Sequence, residues 1–101
     1  MIANEKCVAY IRDNVSQEAI VMQLAEECAE VTQQALKLVR IRMGENPTPV
    51  TAKEASKKFH EELADFFSAL DCIAGIDYSY IFTVEQDKLN RWCYRLANNL
   101  K

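Results

Sequence analysis

Apolar residues recur at three- and four-residue steps through two long stretches of the chain, and this spacing, rather than the alternation of a strand, sets the expected architecture. Ile20, Leu24, Cys28, Val31, Ala35 and Leu38 form one stripe; Phe59, Leu63, Phe66, Phe67, Leu70 and Ala74 form another. Helix signals bracket both. Ser16 is placed to cap a helix over residues 17–43, and Thr51-x-x-Glu54 reads as a capping box opening a second helix expected to end near Ala74, with Gly75 just beyond it. Thr83-x-x-Gln86 repeats that signature and predicts a last helix reaching about Asn99, leaving residues 77–82 as a connection or short helical turn. Ahead of the first long helix, Asp13-Asn14-Val15-Ser16 sets off a short helix over residues 3–12, docked by Val8, Ile11 and Val15.

Composition agrees with a helical reading. Two Gly and two Pro in 101 residues are too few for a fold of many tight turns, and three of them, Gly44, Pro47 and Pro49, fall in one loop between the long stretches. The expected fold is therefore all-α, a single domain over residues 1–101. Two long helices form an antiparallel bundle, with a C-terminal helix laid against them and a short N-terminal helix. Phe66, Phe67, Cys72, Ile73 and Ile76 surround more than one face of the second long helix, so a second subunit is expected to complete the bundle, as a homodimer or homotetramer.

Charge and cysteine usage exclude several classes. With 12 basic and 15 acidic residues, net charge −3, the chain lacks the basic excess of a general nucleic-acid or anionic-membrane binder. Its most apolar run, residues 66–76, is interrupted by Asp71 and is well short of the roughly 20 residues a membrane span needs. No basic segment followed by an apolar one opens the chain, so no secretory signal is expected. Cys7, Cys28, Cys72 and Cys93 are widely spaced, with no C-x-x-C pair, and read as reduced, buried thiols of a cytoplasmic protein.

The candidate chemistry lies in two short acidic clusters, Glu26-Glu27-Cys28-Ala29-Glu30 and Glu61-Glu62-Leu63-Ala64-Asp65, each of the form acid-acid-x-x-acid in mid-helix. Carboxylates three residues apart share a side of a helix, and Glu27 and Glu62 stand at the margins of their apolar stripes. Antiparallel packing would bring four carboxylates to the edge of the core, where their mutual repulsion opposes ionisation. A hard divalent cation resolves the conflict, and Mg²⁺, with Mn²⁺ as a possible substitute, suits an all-oxygen set. Softer metals are disfavoured, because His60 is the only histidine and no Glu-x-x-His motif is present. Taken singly, such a cluster reads as a solvated face, with Lys57 and Lys58 four residues from Glu61 and Glu62. Two matching clusters on facing helices, the first with no basic residue from Asp13 to Leu36, favour the site.

Glu26-Glu27-x-x-Glu30 with Glu61-Glu62-x-x-Asp65 resembles the signature of the all-α nucleoside triphosphate pyrophosphohydrolases, the MazG-like superfamily that includes dimeric dUTPases and dCTP pyrophosphatases. The likeness covers both long helices and their loop, about half the chain, and the 30 residues of 31–60 between the motifs stand at the long end of the family pattern. The resemblance implies that Glu27, Glu30, Glu62 and Asp65 hold Mg²⁺. Glu26 and Glu61 would add ligands or orient the attacking water. It further implies that Lys88, Arg91 and Arg95, which recur at three- and four-residue steps on the last helix, hold the triphosphate of the substrate; Lys37 is a weaker candidate of the same kind. A solvated helix face pairing with Glu85 and Asp87 remains an equal reading of that basic stripe. Trp92 and Tyr94 read as core rather than as a base-stacking pair. The implied activity is hydrolysis of a nucleoside triphosphate to monophosphate and pyrophosphate, in clearance of surplus or non-standard nucleotides. The alternative is a catalytically silent helical oligomerisation or regulatory module that retains the acidic motif.

Overall fold

Each helix starts at a side chain that accepts from an otherwise unpaired backbone N–H. Asn4 Oδ1 takes Cys7 N at 3.2 Å and opens α1, Glu5–Asn14; Ser16 Oγ takes Ala19 N at 3.1 Å and opens α2, Gln17–Met43. Thr51 and Glu54 form the reciprocal capping box of α3, Ala52–Cys72. Asp77 Oδ1 accepts from Tyr80 N at 2.9 Å and opens α4, Tyr78–Ala97. This computed structural model describes residues 4–99, and among them every regular element is α-helix. None of the helices is long and apolar enough to cross a membrane. The expected N-terminal helix begins at Ala3, outside the described residues.

Four boundaries differ from expectation: α1 runs on to Asn14 rather than Arg12 and α4 stops at Ala97 rather than near Asn99, and two further differences have a visible cause. The last helix starts at Tyr78 rather than near Thr83, because Asp77 supplies the cap and residues 78–82 have no strand to pair with; Thr83 Oγ1 instead donates back to the Ser79 carbonyl at 3.1 Å. α3 ends at Cys72, two residues early, where Ile73 turns extended and Gly75 takes φ 81°. The cause is a clamp on its carbonyls. Arg12 donates to Asp71 O (2.9 Å), Cys72 O (3.2 Å) and Ile73 O (3.2 Å), while Gln17 accepts from Ala74 N at 3.0 Å. The last turn of α3 carries no basic residue of its own, so α1 delivers the cation its exposed carbonyls favour.

α2 and α3 run antiparallel: Gln17 meets Cys72, Glu27 meets Glu62 and Asp65, and Gln34 shares a cavity with Ala55 and Lys58. From Glu27 to its end α2 climbs 16 residues, about 24 Å, whereas α3 descends only 10 from its start to Glu62, about 15 Å. The loop over 44–51 must therefore fold back about 9 Å along α2. Gly44, at φ 68°, turns the chain, and Val50 comes down beside Gln34 and Lys37.

The core is thin. Its buried apolar residues are Ile20, Ala55, Ala69 and Cys72, and of the four cysteines expected to be buried only Cys72 is; Cys7, Cys28 and Cys93 are exposed. Helix α4 departs most from expectation. Among the described residues it lies along neither α2 nor α3, and Ile81, Leu89, Trp92 and Leu96 are 47–69% exposed. Trp92 and Tyr94 are thus surface residues of the single chain, not core. The radius of gyration is 17.4 Å, against about 13 Å for a compact chain of 100 residues.

The root of α4 is tied to α3 by Tyr78, whose hydroxyl donates to Asp71 Oδ1 at 2.7 Å. Loss of water around the hydroxyl, then the Asp71 hydrogen bond and charge, push the Tyr78 pKa from 10.0 up to about 12. Folding raises this pKa, so the phenol's contribution is complete below pH 10.0 and is lost as pH rises through about 12. Tyr78→Phe should lower stability by about 1 kcal/mol at pH 8 in urea unfolding, and the gap from wild type should close between pH 10 and 12. A gap that stays constant across that range would contradict the assignment.

Candidate metal centre

Midway along the seam the two acidic motifs meet. One carboxylate oxygen from each of Glu27, Glu62 and Asp65 lies within 4.8 Å of the others. Helical spacing explains the set: Glu62 and Asp65, three residues apart, face α2 together, and Glu27 comes across from the opposing helix. Glu62 is the deepest, only 3% exposed; Glu27 is half-buried and Asp65 is open to solvent. Glu30 is exposed beside Glu62. Its pKa is raised above the ordinary carboxylate value first by the Glu62 charge, then by partial loss of water, a hydrogen bond with Glu62 and the Glu27 charge, with Lys58 acting against the shift.

Glu62 is compensated from its own helix. Lys58 Nζ lies 2.9 Å from Glu62 Oε1, and that hydrogen bond, reinforced by the Glu62 charge, raises the Lys58 pKa. Of the two Lys–Glu pairings available by spacing, this one matters because Glu62 is buried. Gln23 Nε2 donates to Glu27 Oε1 at 2.6 Å. Sequence reasoning missed Gln23; its signal was the four-residue step to Glu27.

Beside the carboxylates opens a cavity of about 420 Å³ whose polar lining includes Gln23, Glu27, Asp65 and Ser68 and whose apolar wall includes Ile11, Val15, Ile20 and Ala69. Ile11 of α1 and Val15 just beyond its end were expected to dock the first helix, and they also line this cavity. The donor set fits a hard divalent cation: all oxygen, three ligands from two rigid helices, and a buried member that needs a positive partner. The remaining candidates fall elsewhere. Glu26 and Glu61 are exposed on either helix. Lys37 is half-buried and lines a separate cavity of about 260 Å³ with Gln34 and Lys58. Lys88 and Arg95 line a groove built from α4 residues, and Arg91 pairs with Asp87 at 3.2 Å on the same helix. Within one chain, α4 is therefore not laid over the carboxylates. His60 hydrogen-bonds through Nδ1 to the Ser56 carbonyl at 2.7 Å, on its own helix.

No family model matches the chain, and no curated protein or solved structure matches it.

Because the raised Glu30 pKa opposes its ionisation, the contribution of this one group to stability falls as pH rises from the ordinary 4.5 through that higher pKa. Glu30→Gln removes the repelling charge. In chelator at pH 7 its melting temperature should equal or exceed that of wild type, with the advantage vanishing near pH 4. A lower melting temperature at pH 7 would show that Glu30 is held by attraction rather than repulsion.

Proposed function

We propose that the protein is a Mg²⁺-dependent nucleoside triphosphate pyrophosphohydrolase that acts in the cytoplasm, splits an NTP or dNTP into monophosphate and pyrophosphate, and clears surplus or non-standard nucleotides. The convergence of Glu27, Glu62 and Asp65 from two helices carries this reading. With Glu30 they form the carboxylate set that the resemblance to the MazG-like superfamily implies. When bound there, Mg²⁺, or Mn²⁺ in its place, would neutralise phosphate charge and lower the pKa of a water. The resemblance gives Glu26 and Glu61, exposed beside the set, to orienting a water; its oxygen would bond to the α-phosphorus as the bond to the bridging oxygen breaks, its proton would pass to a carboxylate and pyrophosphate would leave. The cavity beside Glu27 and Asp65 accepts the nucleoside end.

The rival reading, a catalytically silent helical module, draws on the position of α4, whose cations do not meet the carboxylates of their own chain. Assembly removes the difficulty. The chain exposes 8109 Å², where a folded monomer of its mass exposes about 5,800 Å². The excess of about 2,000 Å² is more than a stable dimer interface needs from each partner. Helix α4 carries Lys88, Arg91 and Arg95 in its C-terminal half, and the stretch from Asp13 to Leu36 carries no basic residue. A second copy is thus the complementary occupant of the α4 face, in a homodimer or homotetramer. Lys88, Arg91 and Arg95 then reach the phosphates from a neighbouring chain, and Lys37 stands further off along α2.

Incubated with Mg²⁺ and a panel of standard and modified NTPs and dNTPs, the protein should release pyrophosphate and a monophosphate. Orthophosphate alone, or no product from any substrate, would refute the enzyme. Glu27→Gln and Asp65→Asn should each cut turnover by more than about 100-fold, beyond what loss of a ligand's supporting partner costs. Light scattering should give a dimer or tetramer. An Asp65→Asn protein and an Arg91→Ala/Arg95→Ala protein, each inactive alone, should regain turnover when unfolded and refolded together. Absence of recovery would exclude cations supplied by a neighbouring chain.

A further inference from the structure

Lys58 sits between two acceptors. On one side it pairs with Glu62, the buried carboxylate of the acidic set, at 2.9 Å; the Lys58 side chain is 53% exposed and that of Glu62 4%. On the other side is the small cavity lined by Gln34, Lys37, Val50, Glu54, Ala55 and Lys58. Gln34 is 8% exposed, and its Oε1 is buried with no hydrogen-bond partner among the described residues. A buried acceptor without a donor is costly, on the order of 1–3 kcal/mol, and native proteins seldom leave one. Two residues that line the cavity with it carry ammonium groups, Lys37 on its own helix and Lys58 on α3, so the orphan is of the kind an ammonium would satisfy.

These facts bear on what happens at Glu62 when a divalent cation binds. The Lys58 ammonium then faces a second positive charge across one carboxylate, and their repulsion favours its departure. It is on a flexible four-carbon stem, more than half exposed, with an open cavity beside it. We propose that Lys58 is a stand-in cation: it neutralises Glu62 in the metal-free protein and, when a metal binds, transfers its hydrogen bond to Gln34 Oε1. The inference rests on the metal reading of the carboxylates and adds a residue-level exchange to it. Lys37 borders the same cavity but is not held by Glu62, so it has no bond to give up as the metal enters.

Mn²⁺ binding, followed by electron paramagnetic resonance and calorimetry without nucleotide, tests the exchange. Lys58→Met should bind Mn²⁺ about 5- to 10-fold more tightly than wild type, a gain of about 1 kcal/mol. Gln34→Leu should weaken binding by a similar factor in the wild-type background and have no effect in the Lys58→Met background. Lys37→Met should leave that Gln34 dependence intact. A Gln34 effect that is absent, that persists without Lys58, or that disappears with Lys37 would overturn the exchange while leaving the metal site standing. Failure of the metal reading looks different: wild type would bind no Mn²⁺, or Asp65→Asn would bind it as well as wild type. Should Gln34→Leu not fold, side-chain NMR of the wild type decides. Mg²⁺ should bring the Lys58 ε-methylene into contact with the Gln34 amide, and an unchanged Lys58–Glu62 contact under saturating Mg²⁺ would overturn the proposal.

Discussion

A carboxylate buried in the seam between two helices governs this structure. Glu62 is at least as inaccessible as Ile20, the deepest large apolar residue, yet it is ionisable and faces Glu27, Glu30 and Asp65. Removing such a group from water costs several kcal/mol unless an opposite charge and hydrogen bonds compensate it. The compensation here is one lysine, a single turn earlier on the same helix. The other acids remain partly solvated, and Glu30 responds by holding its proton more strongly. The seam therefore gathers like charges that are eased by one ammonium, by water and by the raised pKa of Glu30.

The rest of the fold holds the seam in register. Arg12 and Gln17 fix one end by gathering the last carbonyls of α3, which sets where Cys72 stops and therefore how Glu62 and Asp65 face Glu27. The capping box at Thr51 fixes the other end. Between them the apolar support is modest, with small residues such as Ala55 and Ala69 letting the helices approach. Polar clamps at the ends thus do much of the positioning that a larger protein would leave to its core.

Much of this was legible in the chain. The stripes, the Ser16 cap, the Thr51–Glu54 box and Gly44 placed α2 and the start of α3 to the residue, because each is a local signal satisfied locally. The matching acid-acid-x-x-acid motifs foretold the meeting of Glu27, Glu62 and Asp65, since antiparallel helices bring equivalent mid-helix positions together. Non-local features were illegible. Nothing near Arg12 announces that it will cap a helix 59 residues away. The orphan oxygen of Gln34 arises only once α3 and Val50 have come in beside it. Helix α4 was misjudged for another reason: periodicity marks its apolar face but does not say that the face packs on its own chain.

The folded-back loop separates two kinds of sequence change. The carboxylates sit about 24 Å below the top of α2 and about 15 Å below the top of α3, so residues 44–49 of the loop stand away from them, with only Val50 and the Thr51 cap near their supports. Residues can be gained or lost there with little effect on the site, which accommodates the long stretch between the acidic motifs. A single insertion between Glu27 and Met43 or between Ala52 and Glu62 is another matter, since it would turn everything beyond it by about 100°. Evolution can therefore lengthen this hairpin freely at its bend, whereas its arms tolerate change only in steps that restore the helical phase.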